Sequence, residues 1–258
     1  MTMYNDSFFS RRRGFAGDSA RAMAPLIMDL LRPKSIVDVG CGDGIWLAAF
    51  AAQGVDDYLG IDGEYARSQL QIPADHFEGH DLSAPLSIPR TFDLAMSLEV
   101  TEHLPESAAH QFITSLTTLS PVVLFSAAIP RQGGTGHVNE QPPAYWARLF
   151  AREGYRSCDC LRQRLWNNSS VACWYAQNTI LYATPAWFDS HPALQPFLVD
   201  EPLHLVHPRL FEWRDDRCRA SENPGVKAAA GQLKDAVRRK LERLSPVAPG
   251  ESQTHPPS

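Results

Sequence analysis

Little in this chain reaches the extremes that assign a protein class at sight. Across its 258 residues no apolar run approaches the length needed to cross a bilayer, so no transmembrane segment is expected. Arg11-Arg12-Arg13 is not followed by the apolar stretch that a secretory signal carries. Cysteines number five, an odd set, and Cys158-Asp159-Cys160 is too tight for a zinc knuckle and has no second pair. Cys41, Cys158, Cys160, Cys173 and Cys218 are therefore expected as reduced thiols in a cytoplasmic protein. Positive charge is scarce as well. With 24 Lys and Arg against 29 Asp and Glu, the net charge is −5. That balance argues against a surface tracking phosphates, and no nucleic-acid partner is expected. No internal repeat is present. What remains, 44% hydrophobic and 21% charged residues, suits one α/β domain with additions.

The chain is organised around Ser35-Ile-Val-Asp-Val-Gly-Cys-Gly-Asp-Gly44. A β-branched apolar run enters glycines at 40, 42 and 44, and Ile45–Ala52 follows with helix-forming composition. Strand, glycine turn and helix make the entry unit of a nucleotide-binding α/β domain, because the turn needs positive φ and a side chain would hold a ligand off the backbone. The spacing is G-x-G-x-G and differs from the G-x-G-x-x-G that cradles a pyrophosphate. Asp38, two residues before the first glycine, suits a cationic ligand better than a dinucleotide. Asp62 ends a second apolar strand about 20 residues beyond the glycines, where a carboxylate reaches ribose hydroxyls.

With Val-Asp-Val-Gly-Cys-Gly-Asp-Gly in view, the chain resembles the class I S-adenosylmethionine-dependent methyltransferases over roughly residues 34–183. The resemblance implies a Rossmann-like α/β fold, a seven-stranded and mostly parallel sheet with helices on both faces and a terminal antiparallel strand. It implies S-adenosylmethionine as cofactor, with Asp38, Gly40, Gly42 and Asp62 holding it and Asp81 and Leu82 near the adenine.

Hydrophobic periodicity and breakers divide the chain. Residues 1–17 are expected to form a flexible arm, and 18–184 the methyltransferase domain. Its helices are expected at Asp18–Leu31, Ile45–Gln53, Ser107–Leu119 and from Pro142. Its strands are expected at Ser35–Val39, Tyr58–Asp62, His76–Leu82, Thr91–Leu98, Pro121–Ala127, Tyr155–Leu161 and Trp174–Ala183. Residues 185–244 form a C-terminal extension, first dense in Pro, His and aromatics. It ends in a basic amphipathic helix, Gly225–Leu244, whose face carries Val226, Ala229, Leu233, Val237, Leu241 and Leu244. Residues 245–258 are expected to be disordered.

Methyl transfer to a hydroxyl needs alignment and removal of a proton. The chemistry concentrates at Glu99-Val-Thr-Glu102-His103, after the fourth strand, where open α/β sheets place their ligand crevice. Two readings stay open there. In one, Glu99, Glu102 and His103 converge with His137, on the loop after strand five, around Mg²⁺ or Mn²⁺, a divalent ion that would activate the acceptor. Similar clusters bind metal in plant small-RNA 2′-O-methyltransferases and in ubiquinone-pathway O-methyltransferases. In the other reading the site is metal-free, Glu102 is scaffold, and His103 or His137 is the base. Trp166, Asn167, Asn168, Trp174, Tyr175, Gln177 and Asn178 suit a polyhydroxylated acceptor, or else simple packing. Gly-His-Val-Asn-Glu-Gln followed by Tyr-Trp also resembles bacterial methyltransferases associated with surface glycans and secondary metabolites. The expected function is O-methylation of a small-molecule acceptor, a sugar, glycan precursor or secondary metabolite. A nicotinamide-dependent oxidoreductase is disfavoured by the glycine spacing and Asp38, and a non-catalytic adaptor by the presence of Asp62 and Glu102. The oligomeric state is left open.

Overall fold

Each strand forms where apolar residues alternate between two faces that both need covering. In chain order the computed structural model contains α1 (Asp6–Leu31), β1 (Ser35–Val39), α2 (Ile45–Ala51), β2 (Asp57–Asp62), β3 (Phe77–Gly79) and β4 (Leu94–Leu98). There follow α3 (Ala109–Leu119), β5 (Val122–Ser126), α4 (Pro143–Arg152), β6 (Arg156–Cys158) and α5 (Arg162–Leu165). The last elements are α6 (Cys173–Asn178), β7 (Ile180–Ala183), α7 (Pro185–Asp189), β8 (Leu198–Val199) and α8 (Pro208–Glu222). The structure describes residues 6–222 and, beyond them, residues 231, 233, 234, 236, 237 and 240. The chain divides into two units, Met1–Leu210 and Phe211–Ser258. Among the described residues no helix is long and apolar enough to cross a membrane.

The sheet has the order β3-β2-β1-β4-β5-β7-β6-β8. Its first five strands are parallel neighbours, while β7 is antiparallel to β5 and to β6, and β8 is antiparallel to β6. The expected Rossmann-like, mostly parallel α/β sheet is thus a mixed one of eight strands. The additional strand, β8, comes from the extension, where Leu198 and Val199 pair with Cys158 and Ser157 along an edge that would otherwise be open. Alternation along the strands builds one core per face. Ile36, Leu94, Met96 and Leu124 pack with Met23, Ile27, Trp46, Leu47 and Phe50 of α1 and α2. Val37, Val39, Ala95, Val123 and Phe125 pack with Phe112, Ile113, Leu116, Trp146 and Phe150 of α3 and α4. Covered on both faces, the sheet offers its strand ends as the place for a ligand.

Several expectations need correction. Residues 6–17, expected as part of a flexible arm, belong to α1. Gly14 and Gly17 are tolerated inside it, and Gly17 brings the helix against Ile45, whose Cγ1 would lie 3.5 Å from an added Cβ. Phe15 sets its ring edge-on to Trp174, with centroids 5.6 Å apart, and Ser19 Oγ donates to the Phe15 carbonyl while accepting from the Ala172 amide. Tertiary contact, more than propensity, extends this helix. The strand expected at Trp174–Ala183 is split. Residues 173–178 are helical and only Ile180–Ala183 pairs. Of the C-terminal amphipathic helix only a few positions fall within the described residues, and there Leu233 and Val237 are exposed. The 245–258 tail lies outside the described residues.

Candidate active site

The glycine turn leaves β1 along a route that only glycine follows at ease. Gly40, Gly42 and Gly44 have φ of 92°, 57° and 78°. The amides of Gly40 and Cys41 donate to the Ile61 carbonyl at 2.7 and 3.2 Å, which ties the turn to β2. Asp62, at the end of β2, completes the tie: its Oδ2 accepts from the Gly42 amide at 2.7 Å. Its Oδ1 accepts from the Gly63 amide at 2.7 Å and from the Tyr65 hydroxyl at 2.6 Å. The three glycines differ in what they leave room for. A Cβ on Gly40 would fall 2.3 Å from Val100 Cγ2, so this glycine admits a neighbouring side chain. A Cβ on Gly42 would meet nothing within 4 Å. Gly42 therefore opens onto a cavity of about 520 Å³ lined also by Gly40, Asp62, Asp81, Leu82 and His103.

Five of the six expected cofactor residues, Gly40, Gly42, Asp62, Asp81 and Leu82, line this cavity. Asp38 does not. It is 2% exposed in the middle of the sheet, sharing the face of Ile36, and its Oδ2 has no hydrogen-bond partner among the described residues. Burial, with a lesser contribution from the Asp62 charge, pushes its carboxyl up to about 8. Asp81 is exposed, and the Ser83 hydroxyl and amide that it accepts hold its carboxyl below the usual range.

At the end of the parallel strands, Glu102, His103 and His137 come together, one ligand atom of each lying within 4.8 Å of the others. The two imidazoles meet edge to face with centroids 5.0 Å apart, and His137 Nε2 is 4.0 Å from Glu102 Oε1. Glu102 is 1% exposed, and His103 lines the cavity. The loop bearing His137 is clipped to the same turn, because the amides of Val138 and Asn139 donate to the Glu102 carbonyl at 2.8 and 3.1 Å.

Glu99, expected as a further metal ligand, stands apart from this group. Its backbone is left-handed, with φ of 57°, and the turn after it is a single 3-10 turn, Thr101–His103. No regular helix places residues 99 and 102 on one face, so Glu99 does not converge with Glu102 and the two histidines. Both carboxylate oxygens are taken up by amides, Oε1 by Asn178 Nδ2 at 2.9 Å and Oε2 by Gln132 Nε2 at 2.8 Å. Gln177 continues this buried network to Gln132, Asn178 and the His207 amide. Of the aromatic and amide residues suggested for an acceptor, Tyr175 lines the cavity, with its ring edge-on to Trp46. Gln177 and Asn178 serve the network instead, and Trp166 packs on His207. Sequence reasoning missed Gln132, Tyr65 and Glu140. The glycines at 133, 134 and 136 mark the loop that carries two of them but not which side chains it uses.

Residues 10–158 match a family model described as a methyltransferase domain. Among solved structures, the sugar N-methyltransferase KedS8 from Streptoalloteichus sp. superposes with a TM-score of 0.54 at 14% identity, over 71% of this chain and 96% of its own. CalS10, an amino pentose methyltransferase from Micromonospora echinaspora with S-adenosylmethionine bound, gives 0.52 at 15% identity, over 71% and 98%. A candidate O-methyltransferase from Nostoc punctiforme PCC 73102 gives 0.52 at 13% identity, over 66% of this chain and 57% of its own. This chain thus spans little more than half of that relative's length. At these identities the likeness is one of fold. No curated protein matches the sequence.

Proposed function

Because the chain belongs to the methyltransferase-domain family, matched over more than half its length, we propose that it transfers a methyl group from S-adenosylmethionine to a hydroxyl of a small polyhydroxylated acceptor. The observation that carries this reading is the Glu102–His103–His137 corner, which brings a cavity-lining imidazole beside a second imidazole at the strand ends. The open Cβ direction at Gly42 is a cradle that any side chain would fill, and it fits the cofactor. Asp62 would hold the ribose and Asp81 and Leu82 would meet the adenine, while Asp38, buried behind the turn, is not among the residues lining the cavity. S-adenosylmethionine supplies an already activated methyl group when bound, so the chain's part is to align the acceptor and take its proton. His137 or His103 accepts that proton from the acceptor oxygen, and Glu102 stabilises the imidazolium so formed. The products are the methyl ether, S-adenosylhomocysteine and a proton.

The shared placement of Glu102, His103 and His137 also favours a second reading. The three would hold a divalent ion, which would lower the acceptor's pKa and orient it. Without Glu99 the donor set is one carboxylate and two imidazoles, which suits Mn²⁺, Co²⁺ or Zn²⁺ better than Mg²⁺.

Release of S-adenosylhomocysteine across a panel of sugars, amino sugars and phenols tests the activity. Turnover of amines but not hydroxyls would overturn O-methylation while leaving methyl transfer in place. Whichever of His137→Ala and His103→Ala lowers turnover by about 10²- to 10⁴-fold, the usual cost of a lost general base, identifies the base. Chelation separates the two readings. If it stops turnover and leaves S-adenosylmethionine binding intact, the ion is required. Normal turnover by metal-free protein leaves the imidazoles as bases.

A further inference from the structure

The Glu140 carboxylate lies at the centre of the loop between β5 and α4. Its Oε2 accepts from the Arg131 amide at 2.7 Å, and its Oε1 accepts from the Gly133 amide at 2.6 Å. Both donors come from left-handed residues, with φ of 68° and 71°, whose turned backbone aims their two N–H groups at one anion while the Gln132 amide between them donates to the Ile129 carbonyl. The same Oε1 lies 2.9 Å from His137 Nδ1. Two backbone N–H groups already donate to this carboxylate, and a hydrogen on Nδ1 would make the ring its third donor.

A separate feature holds the other side of the ring. A Cβ on Gly134 would fall 2.1 Å from His137 Nε2 and 2.4 Å from Cε1. The imidazole therefore rests on bare backbone, and with its Nδ1 tied to Glu140 it has little freedom to give way. The amides of Val138 and Asn139 fix the loop itself to the Glu102 carbonyl. Three constraints thus converge on one ring, and they point its remaining nitrogen at Glu102 Oε1 and the neighbouring His103.

We propose that Glu140 is a positioning residue that holds His137 in its Nδ1–H form, so that the proton-free Nε2 is the atom presented to the acceptor corner. This rests on the reading of that corner given above, and it serves either version. A general base and a metal ligand both need the Nε2 lone pair, and a carboxylate on the opposite nitrogen is what secures it. The opposite tautomer would set a lone pair against the Glu140 oxygen at 2.9 Å, a closer opposition than the 4.0 Å between Nε2 and Glu102 Oε1, and spend the Nε2 position on a hydrogen.

The test uses the full-length protein labelled with ¹⁵N-histidine, without cofactor, acceptor or added metal, in mildly alkaline buffer. Long-range ¹H–¹⁵N spectra distinguish the tautomers, and loss of a signal in His137→Gln assigns the residue. Wild type should show His137 as Nδ1–H. Glu140→Gln should move it toward Nε2–H, because the amide no longer supplies two acceptor oxygens. Gly134→Ala should disturb the same resonances without removing a charge. With an acceptor in hand, Glu140→Gln should lower kcat by about 10- to 100-fold with little change in KM, the range for a lost partner of a ligating or catalytic histidine. An Nε2–H or doubly protonated His137 in wild type overturns the proposal, as do wild-type resonances retained in both variants. If His137→Ala turns over normally, the claim that its Nε2 serves the acceptor corner falls, and methyl transfer with His103 as base is left in place.

Discussion

Asp38 is where burial and charge conflict most sharply. Its carboxyl holds a proton up to about 8 in the folded chain and loses it near 3.8 when unfolded. Below the lower value both states are protonated and the group is silent. As pH rises through the interval the unfolded chain ionises first, so the folded state loses stability until pH passes about 8. Asp38→Asn removes that loss. Thermal melts of the two proteins should diverge from about pH 4 to about pH 8, the variant being the more stable, and run parallel above. Identical pH profiles would count against a buried, proton-holding Asp38. Asp62 differs, because its oxygens are bonded by the Gly42 and Gly63 amides and the Tyr65 hydroxyl. Asp62→Ala should weaken S-adenosylmethionine binding by about 1–3 kcal/mol, the cost of leaving the two ribose hydroxyls of the proposed contact without their acceptor. Calorimetric titration reads it, and wild-type affinity in the variant would remove Asp62 from the site.

Among elements, the glycine turn and the two loops facing it were unequally legible. Residues 35–44 announce a strand, a turn and a helix because each glycine meets a backbone demand encoded next door. Their division of labour was not visible, since it depends on Val100, sixty residues away, filling the space beside Gly40. The two positions therefore predict different losses. Gly40→Val forces a side chain into Val100 at a φ of 92° and should lower the melting temperature sharply. Gly42→Val carries only the backbone strain of its φ of 57°, so it should remain folded and lose the cofactor. Melting curves and calorimetry on both variants check this; equal destabilisation would refute it. The loop over 129–141 was least legible. Histidine and carboxylate spacing suggested a ligand set with Glu99, but the left-handed backbone at Glu99 and its bonds to Asn178 and Gln132 turn that carboxylate into a tie between elements. Local sequence does not encode a network whose members come from three segments. The same holds for α6, where Gln177 and Asn178 read as strand until their buried partners are known.

Across the whole molecule, charge is unevenly spread. Residues 1–210 carry 15 Lys and Arg against 22 Asp and Glu, so 15 − 22 leaves −7, while residues 211–258 carry 9 against 7, a balance of +2. The cavity shares the bias: Asp43, Asp62, Glu64, Asp81 and Glu99 are among its described lining residues, and no Lys or Arg is. Such a field attracts a sulfonium and repels a phosphate before any contact forms. Polyanions should therefore find no purchase on this surface, since their binding draws on phosphates neutralised by Lys and Arg. We expect no salt-sensitive, submicromolar binding to single- or double-stranded RNA or DNA in fluorescence anisotropy at low ionic strength. Among acceptors, a neutral or amine-bearing sugar should be methylated in preference to its phosphate ester. The preference should shrink as salt is added, because screening weakens the repulsion without touching the hydrogen bonds. Tight nucleic-acid binding that weakens steeply with salt, or faster turnover of the phosphate ester, would show that a basic surface governs acceptor choice and would overturn the neutral-acceptor reading.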